Sequence, residues 1–138
     1  MGIRHMISIN FNGNCREAMD FYASVLNAKT GGIKTFGETP PDPSFPYPES
    51  YRDKVAISDI TIGDTFIHVG DVLPSEKFIA GGNITMQLFI EGVDETKRIF
   101  DGLSEGGEVT MELIKTFYCT LCGSVTDKYG LNWHLMAV

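Results

Sequence analysis

The sequence predicts an α+β fold built from two β-α-β-β-β modules; if their sheets curve together, the faces away from the helices line a cup. Three observations predict it. Each half of the 138-residue chain opens on apolar–polar alternation and runs into a helical apolar stripe. Three further alternating stretches follow in each half, so the order repeats and points to internal duplication. Residue identity between the halves is weak, and the order and hydrophobic pattern carry this reading. The chain closes on Thr126-Asp127-Lys128-Tyr129-Gly130-Leu131-Asn132-Trp133-His134-Leu135, a turn feeding a strand. One face of that strand is apolar, and the other carries an amide and an imidazole.

Taken in order, residues 6–11 alternate, with Ile7, Ile9 and Phe11 on one face and Met6, Ser8 and Asn10 on the other. Asn12-Gly13-Asn14 breaks the strand, and Asn14 with Glu17 three residues on predicts a capping box opening a helix over 15–26. Ala18, Phe21, Tyr22, Val25 and Leu26 give its apolar stripe, which ends near Asn27. Residues 33–36 read as a short strand. Residues 37–53 hold five of the six prolines together with Phe45, Tyr47 and Tyr51. Proline bars regular pairing there, leaving a stiffened loop that either covers a pocket or is a surface excursion. Residues 54–62 and 65–69 make a hairpin about Gly63-Asp64.

The second half begins with Ile84, Met86, Leu88 and Ile90 alternating with Thr85, Gln87 and Phe89. A helix over 93–104 follows, with Thr96, Ile99, Phe100 and Leu103 as its stripe and Gly106-Gly107 ending it. Residues 109–114, 117–126 and 131–137 read as three strands. The resulting organisation is a short leader over 1–5, a module over 6–71, a connector over 72–82 and a module over 83–137.

A net charge of −7 and a pI near 4.8 argue against nucleic acid and anionic membranes as partners, since phosphate binding needs concentrated Lys and Arg. No apolar run approaches spanning length, and no secretory signal is visible, so a cytoplasmic setting is expected. Three cysteines, an odd number, then read as reduced thiols. Cys119-Thr120-Leu121-Cys122 spells C-x-x-C, the spacing of a redox pair or half a zinc site. No second pair accompanies it, and on a strand its two thiols would point to opposite faces. No glycine-rich turn opens a helix after a strand, and no G-x-S-x-G elbow occurs.

Each helix needs an apolar sheet face. Ile7, Ile9, Phe11, Ile67 and Val69 supply one, and Ile84, Met86, Leu88, Trp133 and Leu135 the other. The opposite faces collect Met6, Ser8, Asn10, Phe66 and His68 in the first module. In the second they collect Thr85, Gln87, Phe89, Asn132, His134 and Met136. Mixed polar and aromatic groups in a concavity suit a small ligand, whereas a merely solvated face is what antiparallel sheets also allow.

The Gly13-Asn14-Cys15-Arg16-Glu17-Ala18…Phe21-Tyr22 opening and the Asp127-to-Leu135 close resemble the vicinal oxygen chelate superfamily. That superfamily includes glyoxalase I, extradiol dioxygenases, and the fosfomycin and bleomycin resistance proteins. Gly37-Glu38-Thr39-Pro40-Pro41, Tyr51-Arg52-Asp53-Lys54, Ile62-Gly63-Asp64 and Gly123-Ser124-Val125-Thr126-Asp127 resemble its PhnB-like branch. The resemblance covers nearly the whole chain from Met6. It implies glyoxalase-like paired modules and, by the superfamily's ligand positions, metal-ligand places at Met6, His68, Thr85 and His134. His68 and His134 can ligate a divalent metal such as Zn, Ni, Mn or Fe; Met6 and Thr85 are poor ligands.

The resemblance therefore implies a small-molecule-binding protein without an assured metal, as in the bleomycin-resistance relatives. The alternative is a metal-dependent, Lewis-acid lyase, isomerase or dioxygenase-type enzyme. The expected ligand cup is Ser8, Asn10, Phe66, His68, Thr85, Gln87, Phe89, Asn132 and His134. The resemblance also implies a homodimer. PhnB-like proteins often carry the label of a demethylubiquinone methyltransferase, for which the sequence shows no methyl-donor motif.

Overall fold

A computed structural model describes residues 2–138. The chain divides into two compact units, one running through Phe78 and one from Ile79 to Val138. Each contains one helix on one face of one mainly antiparallel sheet.

In the N-terminal unit, strand β1 (Ser8–Phe11) leads into helix α1 (Cys15–Leu26). Two short strands, β2 (Lys29–Thr30) and β3 (Lys34–Thr35), precede the long hairpin of β4 (Val55–Ile62) and β5 (Thr65–Asp71). The sheet order is β1-β5-β4-β2, with β3 also on β4. The first and last strands lie side by side and parallel, Ser8 opposite His68. Gly63, at φ +57°, turns the hairpin, a left-handed conformation that glycine adopts without a Cβ penalty.

The α1 boundaries match the periodicity, and Asn27 ends the helix in the αL conformation. Three details of the sequence reading are corrected. Asn14 makes no side-chain cap bond. The Cys15 amide instead donates to Asp71 Oδ1 at 2.9 Å, a partner 56 residues away. The second Asp71 oxygen accepts from the Val55 amide at 3.0 Å, so one buried carboxylate ties α1, β4 and β5 together. The buried stripe is also displaced: Cys15, Ala18, Met19 and Tyr22 face the sheet, while Phe21, Val25 and Leu26 are only partly covered. Ile7 lies before β1 and is exposed, because the strand begins at Ser8.

The 37–53 loop contains two one-turn 3₁₀ segments, Phe36–Glu38 and Glu49–Tyr51. Phe36 contacts both Tyr47 and Tyr51 at ring-centroid distances of 5.6 and 5.4 Å. The Tyr47 hydroxyl donates to the Phe36 carbonyl at 3.1 Å, and the Tyr51 hydroxyl donates to the Val72 carbonyl. Two of the loop's three aromatics thus hold it to its own unit, while Phe45 is exposed.

In the C-terminal unit, β6 (Met86–Ile90), α2 (Val93–Ser104), β7 (Glu108–Ile114), β8 (Cys122–Thr126) and β9 (Asn132–Ala137) form a sheet of order β6-β9-β8-β7. Again the first and last strands pair in parallel, Met86 opposite Trp133. All four expected stripe residues of α2, Thr96, Ile99, Phe100 and Leu103, are buried. Gly123 lies beneath them; a Cβ there would sit 2.9 Å from the Phe100 ring and 3.0 Å from Leu113.

The predicted strand over 117–126 is shorter than expected. Only Cys122–Thr126 pairs, and residues 115–121 loop back, with the Thr116 amide donating to the Cys119 carbonyl at 3.2 Å. Ile84 and Thr85 precede β6, and Ile84 is exposed. No helix among the described residues is long and apolar enough to cross a membrane.

Candidate functional site

The sheet face opposite α1 is set by alternation along three neighbouring strands. Ile67 and Val69 are buried on the helix side, which sends Phe66 and His68 to the other. Parallel register puts Ser8 beside His68, and antiparallel register puts Asp59 on the far side. Ser8, His68 and Asp59 therefore form a row across this open face. Phe66 packs edge-on to His68, ring centroids 5.4 Å apart, and remains 47% exposed. Large exposed aromatics on a face that also carries an imidazole favour a covered or ligand-holding surface over a plain solvated one.

Ser8, Asn10 and His68 line a hollow of about 140 Å³ on this face. A larger cleft of about 670 Å³ opens near the start of α1, among Arg16, Glu17, Asp20, Asp53 and Lys54. Its polar groups are largely committed to one another. Arg16 donates to the Asp53 carbonyl at 3.0 Å, Lys54 Nζ to the Gly13 carbonyl at 2.9 Å, and Asp71 holds two amides. The smaller hollow carries the imidazole and is the better candidate.

The open face of the C-terminal unit is built the same way. Trp133 and Leu135 are buried, so Asn132, His134 and Met136 face outward from the helix side. Gln87 pairs with His134 and Phe89 with Met136 across the parallel ladder. Ser124 lies opposite His134, and its hydroxyl is 2.7 Å from His134 Nδ1. That bond orients the ring and leaves Nε2 as the nitrogen presented outward. Asn132 is engaged structurally: its oxygen accepts from Thr126 Oγ1 at 2.8 Å, and its amide donates to the carbonyls of Gly81 and Ile84. This ties the approach to β6 against β9. Thr85 lies on that exposed approach.

Ser8, Asn10, Phe66 and His68 therefore share one face of their unit. Gln87, Phe89 and His134 share one face of theirs. Sequence reasoning missed Asp59 and Ser124. Asp59 was recoverable, because a two-residue turn at Gly63-Asp64 forces the register and makes Asp59–His68 the fourth pair out. Ser124 was recoverable in the same way, because the local turn at Asp127-Gly130 joins β8 to β9 and their unshifted ladder makes Ser124–His134 the third pair out.

Among the described residues no group of three or more His, Cys, Asp or Glu side chains is placed to hold a metal ion. A stable site draws about three protein ligands, and neither His68 nor His134 stands in such a group within its own unit.

Three comparisons with known proteins bear on this site. The family model described as 3-demethylubiquinone-9 3-methyltransferase matches residues 4–136. Protein YjdN of Escherichia coli K12 is 32% identical over 136 residues, covering 94% of this chain and 92% of its own. The crystal structure of protein PA1353 from Pseudomonas aeruginosa matches with a TM-score of 0.84 at 27% identity, covering 99% of this chain and 98% of that one. A mutant of the genomically encoded fosfomycin resistance protein FosX of Listeria monocytogenes, complexed with Mn(II) and 1S,2S-dihydroxypropylphosphonic acid, matches with a TM-score of 0.65 at 12% identity. It covers 99% of this chain and 92% of its own, and at that identity the likeness is one of fold.

Proposed function

Because this chain belongs to the family described as 3-demethylubiquinone-9 3-methyltransferase, we propose that it is a PhnB-like member of the vicinal oxygen chelate superfamily, whose FosX member has a similar fold, and that it binds a small polar molecule on its open sheet faces. The observation that carries this reading is the hollow shared by Ser8, Asn10 and His68, with Phe66 beside it. An imidazole, an amide and a hydroxyl offer donors and acceptors within one depression, and the Phe66 ring packs on the imidazole beside it. The Gln87, Phe89 and His134 group, with Thr85 and Asn132 at its edge, offers the corresponding chemistry on the other unit. The family's descriptive name supplies no methyl donor site to these residues, and methyl transfer is no part of the proposal.

Native mass spectrometry of the purified protein, followed by titration of whatever molecule co-purifies, tests the reading. His68→Ala and Asn10→Ala should each weaken that molecule by about tenfold or more, the equivalent of one good hydrogen bond to a charged or strongly polar group. Both side chains are on the surface side of the sheet, so thermal stability should barely move. Wild-type affinity in the double variant would remove this face as the site.

A Lewis-acid enzyme is the second reading, favoured only by the Ser124-oriented His134, since hydrogen bonding to one ring nitrogen is how metal-ligating histidines are held. Titration with zinc, nickel and manganese distinguishes it: binding that persists when both His68 and His134 are Ala would exclude them as ligands. We further propose a homodimer, because β1, β6 and β7 are edge strands with unpaired backbone groups. Light scattering should give about twice 15.2 kDa, and a monomer mass at micromolar concentration would refute it.

A further inference from the structure

The C-x-x-C motif is used by neither proposed binding group, although Cys122 shares the open face of its sheet, opposite Met136; the structure contradicts the expectation that its thiols point apart. Because residues 115–121 loop back, both sulfurs converge on one hydroxyl. Thr116 Oγ1 lies 3.1 Å from Cys119 Sγ and 3.9 Å from Cys122 Sγ. Cys122 Sγ also donates to the Tyr118 hydroxyl at 3.6 Å. Cys119 is half-buried and Cys122 fully buried, both as free thiols.

We propose that Cys119 and Cys122 form a dithiol that closes to an intramolecular disulfide when a hydroperoxide oxidises it. Cys119, the more accessible sulfur, attacks the terminal peroxide oxygen. The O–O bond breaks, the other oxygen leaves as an alcohol or water carrying the thiol proton, and Cys119 becomes a sulfenic acid. Cys122 then attacks the Cys119 sulfur. The S–O bond breaks, and the hydroxyl departs as water with the Cys122 proton. Each sulfur is oxidised by one electron, and the peroxide takes up both.

The surroundings suit these roles. Burial opposes ionisation of Cys122, but hydrogen bonding with Cys119, Tyr118 and Thr116 outweighs it and holds the thiol below its usual range. Thiolate character is what resolving attack on sulfur requires. Tyr118 is held protonated, chiefly by its bond to Cys122, and so keeps its donor. Cys15 is the opposite case. Burial, reinforced by the Asp71 charge and only partly offset by Arg16, pushes it up to about 12. It serves as an internal control that peroxide should leave untouched.

The intact chain is treated with stoichiometric hydrogen peroxide, alkylated, and read by intact mass and peptide mapping. The expected product has lost two hydrogens, contains a Cys119–Cys122 link, and regains both thiols with dithiothreitol. Cys119→Ser, at a half-buried position the fold tolerates, should slow oxidation at the motif by about tenfold or more, because the remaining sulfur is sealed. Thr116→Val keeps both thiols and should slow closure while leaving circular dichroism unchanged. Cys119 and Cys122 both still carrying the alkylating label after the peroxide is consumed would overturn the proposal. So would C119S oxidising at the wild-type rate, or Cys119 accumulating as sulfinic acid, or a link between two chains.

Discussion

Replacing Asp127 by Ala should destabilise the C-terminal unit by about 4 kcal/mol, since each hydrogen bond to a buried charged acceptor is worth roughly 1.5–3 kcal/mol and removal orphans its donors. Asp127 is buried. One oxygen accepts from the Tyr129 and Leu131 amides at 2.9 and 3.1 Å, and the other accepts from Trp133 Nε1 at 2.9 Å. Trp133 is the largest fully buried side chain, so its indole N–H has no route to water once the carboxylate is gone. Asp127→Asn should cost about half as much, because the amide oxygen can keep two backbone donors while its NH₂ faces the indole N–H. Urea unfolding gives the magnitude. Hydrogen exchange locates it: protection should fall within Ile79–Val138, and an equal fall through the rest of the chain would sink the local account.

Asp71→Ala should cost the N-terminal unit about 3 kcal/mol, again from two buried donors left unmet. Those donors are the amides of Cys15 and Val55, at the start of α1 and of β4. The local signature differs from that of an ordinary cap. A lost N-cap costs about 1 kcal/mol and frays one helix end, whereas here the start of β4 should lose protection together with the first turn of α1. Exchange confined to α1 would reduce Asp71 to a simple cap.

These two carboxylates also show what the sequence could and could not disclose. Asp127 was legible. It stands in a short run with Gly130 and Trp133, and a turn closed by an Asx bond is a local event. Asp71 was not, because its partners lie 56 and 16 residues away and no spacing rule connects them. The same division runs through the fold. Helices at 15–26 and 93–104, the Gly63-Asp64 hairpin and the repeated order followed from periodicity together with local cap and turn residues. Lys34–Thr35 falls within the short strand read over 33–36, whereas Lys29–Thr30 went unread, since too few residues alternate in so short a segment. In the site, alternation placed Phe66, His68 and His134 on the correct faces. Asn132 was read as a ligand group from its face alone, and its three tying bonds depend on how residues 81–84 approach the strand.

The C-x-x-C segment shows why pattern fails where strands end. Apolar and β-branched residues continue from Phe117 to Thr126, yet pairing starts only at Cys122 because the register between β7 and β8 shifts twice. The loop that absorbs the slack is what brings the two sulfurs together.

The parallel pairing of first and last strands has a further consequence for how these units come apart. In the N-terminal unit β1 and β5 are sequence-distant neighbours, with the proline-stiffened loop between them. A backbone cut within 37–53 separates the chain into two pieces, and each carries one partner of that ladder. The Asp71 bond to Cys15 crosses the same divide. The pieces are thus held by the sheet and by a buried carboxylate rather than by chain continuity. A nick at the most protease-accessible kind of segment divides the polypeptide without dividing the unit, and shortening from either end strips a strand from the other end's partner.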